Sequence, residues 1–170
     1  MSISASMLPE FDMETANTRK TLERIPESAF NYKPHEKSFS MIALATHIAN
    51  MYGWGADTMK SDSFDVAPVG GEPYKEEPAT SVAALLKKLD DHAAAFRAGL
   101  ATVTDEQMMA TWSLLSGGNT LFAMPRVACV RGMIFNHIIH HRAQLTVYLR
   151  MNDIPVPALY GPSADEQGGM

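Results

Sequence analysis

Hydrophobic residues recur at helical spacing in four long segments of the chain. The pattern is clearest over residues 80–103, where apolar positions three and four apart form one stripe. The stripe consists of Val82, Leu85, Leu86, Leu89, Ala93, Phe96 and Leu100. The same period predicts helices over residues 6–24, 40–60 and 125–152. Four long helices joined by short connectors and one long one are typical of a helix bundle.

The connections between these helices differ in length and character. Residues 61–78 are rich in Pro, Gly and acidic side chains, and a loop of this length indicates a crossover connection or an active-site loop. Thr104 is placed to cap a short helical turn. Residues 111–124 contain two apolar runs around Gly-Gly-Asn, which indicates a small hairpin. We therefore predict an all-α fold, a four-helix bundle with a long crossover loop, whose one β element is this hairpin before the last helix.

Length and composition limit the class of protein. A chain of 170 residues with 46% hydrophobic residues fits one domain over residues 1–170 and can bury a core without a structural metal. The net charge is −5 and no basic run is longer than Lys87-Lys88, which argues against nucleic-acid and anionic-membrane partners. No 18-residue apolar window and no signal sequence are found, and Cys129 is the single cysteine. We predict a cytoplasmic protein.

Histidines concentrate on the last predicted helix, in the segment MIFNHIIHHRAQLTVYLR. His137 and His141 are one turn apart on one face, and a rotation of about 100° per residue places both within the apolar arc and His140 at its edge. On the second helix, His47 also faces the predicted core, and Trp54 lies two turns further along the same face. The pattern predicts three imidazoles that point into one core.

A single inward histidine is usually a core residue with one hydrogen bond, but three together need another explanation. Each unpaired buried ring would cost about 1–3 kcal/mol, whereas a divalent metal satisfies all three. Three protein ligands leave a position open, as catalytic sites do. Ile138 follows His137, so the HExxH motif of metalloproteases is absent. Imidazole ligands suit several metals, and we predict Zn or Ni, with Fe as the alternative.

The sequence does not assign a single role to the other residues near this face. His140 could support the ligands, act as an acid or base in a pocket, or replace His141 as a ligand. Trp54 and Tyr148 are candidates for the pocket or for contacts behind the ligands. His92 is predicted to be solvated, and Arg142, which projects away from the imidazoles, is predicted at a surface or interface. No catalytic residue is assigned.

The segments LATHIANMYGW and NHIIHHRAQLTVYLR resemble the two signature segments of the DinB/YfiT-like superfamily of metalloenzymes. The resemblance extends to METANTRKTLERIPESAFNYKPHEKSFS and PALYGPSADE, and so to almost the whole chain as one DinB-like domain. It implies a four-helix bundle with up-down-down-up topology, often dimeric. It also implies a divalent metal held by one His of the second helix and an H-x-x-x-H pair of the fourth, here His47, His137 and His141.

The resemblance also implies an activity, since similar proteins include thiol-dependent S-transferases and isomerases. We expect a metal-dependent enzyme, a transferase of low-molecular-weight thiols or else a hydrolase, with a small-molecule substrate. The alternative is a non-catalytic metal-binding protein with a stress-response or interaction role. A homodimer is also predicted, because Phe135, Ile139 and Leu149 fall on the back of the fourth helix.

Overall fold

The computed structural model describes residues 2–167 and contains five helices. The first four are α1 (Ile3–Leu22), α2 (Met41–Lys60), α3 (Val82–Thr102) and the short α4 (Asp105–Met109). The last, α5, is continuous but changes pitch, with an α-helical start, a π-helical middle and a long α-helical end: Arg126–Ala128, Cys129–Phe135 and Asn136–Met151. The four long helical segments predicted from the apolar period are all helical.

A three-stranded mixed sheet accompanies the helices, so the prediction of an all-α four-helix bundle with up-down-down-up topology is wrong. The strands are β1 (Ser63–Asp65), β2 (Thr111–Ser116) and β3 (Asn119–Pro125), in the order β1-β2-β3. β1 runs parallel to β2, and β2 runs antiparallel to β3. The parallel pairing joins Ser63 to Ser113, about fifty residues apart, across α3 and α4. No local pattern in a three-residue strand could indicate such a distant partner.

The hairpin of β2 and β3 is present, as its two apolar runs predicted. Gly117 and Gly118 form the turn with φ values of 60° and 76°, a conformation that glycine adopts without strain. The Asp65 carboxylate accepts hydrogen bonds from both turn amides, at 3.1 and 2.8 Å. Asp65 therefore fixes the end of β1 to the hairpin.

The core lies among α1, α2, α3 and α5, with α3 packed closely against α2. A Cβ atom at Gly55 would lie 2.3 Å from Phe96, so a residue larger than glycine would separate these helices. His92 lies on the same interface, where its Nδ1 atom is 3.0 Å from the Ala49 carbonyl oxygen. The prediction that His92 is solvated is wrong, because Gly53 leaves room for its ring against α2.

Arg126 fixes the end of α2 to the beginning of α5, the two helices that carry the predicted metal ligands. Its guanidinium group donates to the carbonyl oxygens of Thr58 at 2.8 Å, Ser61 at 3.0 Å and Gln107 at 2.5 Å. Carbonyl groups at a helix C-terminus lack partners within the helix, and a buried cation satisfies them. This contact sets the spacing of α2 and α5 at one end of the site.

Arg142 is almost fully buried at 1% exposure, so its predicted place at a surface or interface is wrong. It forms an ion pair with Glu14 of α1, and it donates to Thr18 at 3.1 Å and to the hydroxyl of Tyr160. Because Glu14 precedes Arg142 by 128 residues, the helical projection of α5 alone could not identify this partner.

Two of the three apolar residues taken as evidence for a dimer are buried within the monomer. Phe135 and Leu149 are 3% and 0% exposed and belong to the core, whereas Ile139 is half-buried. The homodimer therefore stays a prediction without support from Phe135 and Leu149. Between residues 2 and 167, no helix has both the length and the apolar character needed to cross a membrane.

Candidate metal centre

His47 of α2 and His137 and His141 of α5 converge at one place. One ring nitrogen from each lies within 4.8 Å of the other two. The ring centroids are 4.6 Å apart for His137 and His141, and 4.9 and 5.4 Å from His47 to His141 and His137. The Nε2 atoms of His137 and His141 are 2.9 Å apart. The structure thus brings together the three histidines predicted as metal ligands.

The other side of each ring has a protein partner. His47 Nδ1 lies 2.9 Å from Oε2 of Glu76, and His141 Nδ1 lies 2.7 Å from Oε1 of Gln144. His137 is hydrogen-bonded to the backbone of Met133. A carboxylate or carbonyl oxygen beside Nδ1 favours the tautomer that carries its proton there. The Nε2 lone pairs of His47 and His141 are then free for a shared ligand.

Glu76 comes from the long connector between β1 and α3, and it is the carboxylate at the imidazoles. Its side chain is 22% exposed, and burial alone would raise its pKa. Hydrogen bonds with His47, Asn50 and Tyr74 outweigh burial and lower the pKa below the usual value of a glutamate. The carboxylate form therefore predominates at neutral pH and accepts a hydrogen bond from Nδ1–H of His47.

The two histidines of α5 are held in the neutral form. Burial and the nearby imidazoles of His137, His47 and His140 lower the pKa of His141 to about 4. Burial and the proximity of His47 also lower the pKa of His137. Neutral imidazole is the form that binds metal, so metal binding at pH 7 requires little deprotonation of these two histidines.

The residues present fit a divalent metal. Three neutral imidazoles from two rigid helices offer nitrogen donors close to one another, and two have an oxygen partner on Nδ1 that sets the ring orientation. Two imidazole Nε2 atoms at 2.9 Å that both carry lone pairs would repel each other without a cation or proton between them. The donor set is therefore typical of a metal site with three protein ligands.

His137 and His141 lie on the rim of the buried face of α5, not inside it as the helical projection predicted. The buried positions of this part of α5 are Ile138, Arg142, Leu145, Tyr148 and Leu149. Most of these positions lie about 80–140° around the helix from His137, at about 100° per residue. The projection assumed a uniform α-helix over residues 125–152, but the π-helical turn at Cys129–Phe135 shifts the phase of the preceding residues relative to His137. The two imidazoles are consequently half-buried and accessible from one side.

The three further residues predicted near the ligands, Trp54, Tyr148 and His140, lie in different positions relative to the imidazoles. Trp54 lies beside the site, with its ring 5.4 Å from His47 and 6.5 Å from His137. Tyr148 is buried and donates to the Phe39 carbonyl oxygen at 3.3 Å, while the Phe39 ring stacks on His47 at 5.7 Å. Tyr148 therefore supports the site through Phe39.

His140 lies outside the group of three. Its ring is exposed, and its centroid is 4.9 Å from that of His141. Its role stays open.

Glu76, Tyr74 and Gln144 were not predicted as site residues. Tyr74 accepts a hydrogen bond from Trp54 at 2.9 Å and donates to Oε1 of Glu76 at 3.2 Å, so the connector is fastened to α2 at the site. The unusual length of residues 61–78 indicated a crossover connection or an active-site loop, but nothing in the sequence distinguished Glu76 from the other acidic residues of this segment. Gln144 follows His141 by three positions, a spacing that could have indicated the contact.

A comparison with known protein families identifies the family of this chain. The sequence model of the DinB superfamily matches residues 10–145, a range that includes all three histidines. The chain belongs to the DinB superfamily. The predicted resemblance is thereby confirmed.

Solved structures of DinB-like proteins share this fold. A DinB-like protein from Bacillus cereus aligns with a TM-score of 0.69 and 22% identity over 94% of this chain and 98% of its own. The DinB-like protein YjoA from Bacillus subtilis aligns with a TM-score of 0.68 and 22% identity over 96% of this chain and 99% of its own. Comparison with functionally curated proteins gives no match.

Substitution of Glu76 in this DinB-superfamily protein is expected to weaken metal binding. Glu76→Gln removes the charge that favours the Nδ1 proton of His47, and loss of such a partner typically costs about 10–100-fold in metal affinity. Competition with a chromophoric chelator measures the dissociation constant. Glu77→Gln is the matched control, because Glu77 is exposed and next in sequence. Equal affinities for the two variants would contradict the role of Glu76.

The metal-free protein is expected to lose stability as the pH falls from about 6.5 to about 4. An unfolded histidine has a pKa of about 6.5, whereas the pKa of His141 in the folded protein is about 4. Between these values the unfolded chain binds more protons, so the free energy of unfolding decreases with falling pH, by at most about 1.4 kcal/mol per pH unit for one histidine. Above pH 6.5 this contribution is constant.

Urea unfolding of chelator-treated protein at several pH values measures this slope. His141→Asn removes the titrating group, so its stability should depend less on pH than that of the wild type. Identical slopes for both proteins would show that the pKa of His141 is not lowered by folding.

Proposed function

We propose that this protein is a divalent-metal-dependent enzyme that transfers a low-molecular-weight thiol to an electrophilic small molecule. The observation that carries the proposal is the convergence of His47, His137 and His141, with one ring nitrogen each within 4.8 Å. Membership of the DinB superfamily supports the metal, and the half-buried position of the pair on α5 supports access by a substrate. We propose Zn or Ni as the ion, since both bind imidazole well.

The three histidines would hold the ion, and Glu76 and Gln144 would fix the rings of His47 and His141. A bound divalent ion supplies a Lewis acid that lowers the pKa of a thiol or water molecule at an open position. Phe39 stacks on one face of His47 and limits its rotation. The protein residues thus orient the donors and keep them neutral.

The nucleophile is expected to come from a second substrate, because the protein has no activated thiol of its own. Cys129 is buried, and burial raises its pKa to about 11. In the proposed reaction the co-substrate loses its S–H proton and its sulfur forms a bond to the electrophilic carbon. The proton goes to the leaving group in a substitution, or to the neighbouring carbon in an addition to a double bond.

Metal content and turnover together test the proposal. Protein purified without chelators is analysed for Zn, Ni and Fe, and is then assayed with a panel of thiols and electrophiles before and after metal removal. About one metal ion per chain, with turnover that disappears on chelation and returns on reloading, is the expected result. Absence of metal-dependent turnover across a broad panel would contradict the enzymatic proposal.

A non-catalytic metal-binding role is the second candidate, and the engagement of Glu76 favours it. Both oxygens of Glu76 are already hydrogen-bonded, one to His47 and the other to Tyr74, so the carboxylate beside the imidazoles is not free to act as a base. This candidate predicts the same metal content with no turnover. The two candidates therefore differ in the assay and not in the metal analysis.

A further inference from the structure

A cavity of about 120 Å³ lies next to the metal centre, between α2, the mixed sheet and the π-helical part of α5. The sheet contributes one row of side chains in register across its three strands, Phe64, Leu114 and Phe122. Ile134 lines the cavity from the π-helical turn. His137 also lines it, so the cavity and the three imidazoles share one residue.

We propose that this cavity binds an aromatic substrate of one ring, with the reacting substituent of the ring placed at His137. The inference rests on the proposed function, because it assigns to the cavity the electrophilic substrate of the reaction proposed above. Apolar cavities of about 150 Å³ in other proteins bind benzene, so this volume suits one ring better than a fused pair.

The aromatic character of the wall favours a flat ring over an aliphatic chain. Trp54 and Tyr74 meet edge to face at 5.7 Å, and Phe64 and Tyr74 do so at 5.8 Å. Aromatic pairs in such arrangements gain roughly 0.5–1.5 kcal/mol beyond burial of area. A ligand ring packed against these side chains would make the same kind of contact.

The same wall disfavours a polar thiol co-substrate. Each buried polar group without a hydrogen-bond partner costs about 1–3 kcal/mol, and the row of Phe64, Leu114 and Phe122 offers no side-chain donor or acceptor. We therefore place the aromatic ring in the cavity and the thiol on the side of the imidazoles that lies outside it.

Fluorobenzene is a direct probe, because ¹⁹F NMR reports its binding without reference to metal or turnover. We expect saturable binding to metal-free and metal-loaded protein with equal affinity, and no saturable binding of 1-fluoronaphthalene. The probe 4-fluorobenzoate, whose carboxylate would lie at the metal, should bind at least tenfold more tightly to zinc-loaded than to metal-free protein.

Matched variants locate the binding. Leu114→Trp fills the cavity from the sheet and should weaken fluorobenzene binding at least tenfold. Leu121→Trp should change it less than twofold, since Leu121 lies on the same hairpin but is 58% exposed and does not line the cavity. If Leu114→Trp does not fold, Met133→Trp at the cavity rim, where the side chain is 40% exposed, gives the same comparison.

Each outcome bears on one proposal. Failure of fluorobenzene to bind, or equal weakening by Leu114→Trp and Leu121→Trp, would overturn the assignment of the cavity. Equal affinity of 4-fluorobenzoate for both forms of a protein that does bind zinc would overturn the placement of the substituent at the metal. A protein that binds fluorobenzene but no metal would refute the proposed function and leave the cavity as an aromatic binding site.

Discussion

Replacement of His137 with alanine is expected to abolish metal binding at the centre and any turnover that depends on it. His137 provides one of three converging nitrogens and also borders the apolar cavity, so its loss removes a ligand and opens the site to water. Loss of an outer partner of a metal ligand costs about 10–100-fold in affinity, and loss of a ligand should exceed this. Metal analysis after gel filtration and the thiol-transfer assay measure the effect.

His140→Ala is the matched control, because it removes a neighbouring imidazole that is exposed and not among the three. It should retain about one metal ion per chain. A similar loss of metal in both variants would show that the histidines bind as an exposed cluster and not as the defined group of His47, His137 and His141.

Replacement of Glu14 with alanine is expected to produce the largest loss of stability. Arg142 is 1% exposed, and Glu14 is its buried counter-charge. Removal of one partner leaves the other charged in a low-dielectric interior, which typically costs about 3–5 kcal/mol. For a chain of this length that corresponds to a fall in Tm of roughly 6–20 °C. Differential scanning calorimetry and urea unfolding measure it.

Two controls distinguish the loss of a buried ion-pair partner from the loss of a carboxylate charge in general. Asp12→Ala also removes a carboxylate of α1 that pairs with an arginine, but the Asp12–Arg97 pair is exposed and should contribute only about 0–1 kcal/mol. The double variant Glu14→Leu/Arg142→Leu replaces both charges and should recover part of the loss, since an apolar pair leaves no isolated charge. Equal destabilisation by Asp12→Ala and Glu14→Ala would contradict this account.

The buried pair also joins distant parts of the chain. Tyr160 donates to the Glu14 carboxylate at 2.8 Å and accepts from Arg142, so the segment after α5 is held against α1. Partial burial of its hydroxyl and the hydrogen bond to Glu14 raise the pKa of Tyr160 to about 12, and the hydroxyl stays protonated at neutral pH. Glu14→Ala should therefore also increase proteolytic cleavage after residue 151.

Much of the helical structure followed from the sequence, since an amphipathic period over about twenty residues is a strong local signal. Ser40 begins α2 as its cap, and the Gly117–Gly118 turn forms where two apolar runs met. The fold class did not follow, because β1 is short and its partner β2 lies across α3 and α4. The pairing of β1 with β2 requires closure of a long loop, and the local sequence of β1 does not indicate which segment it will pair with.

For the site, the three histidines could be grouped from the sequence alone, because positions i and i+4 of a helix share a face and His47 faces the core on α2. Their surroundings depend on tertiary contacts. Glu76 reaches His47 from a connector with no regular period, and the cavity exists because Phe64 of β1 comes into register with Leu114 and Phe122 of the hairpin, about fifty residues further along the chain. Such contacts depend on chain closure between remote segments, which periodicity along one helix cannot encode.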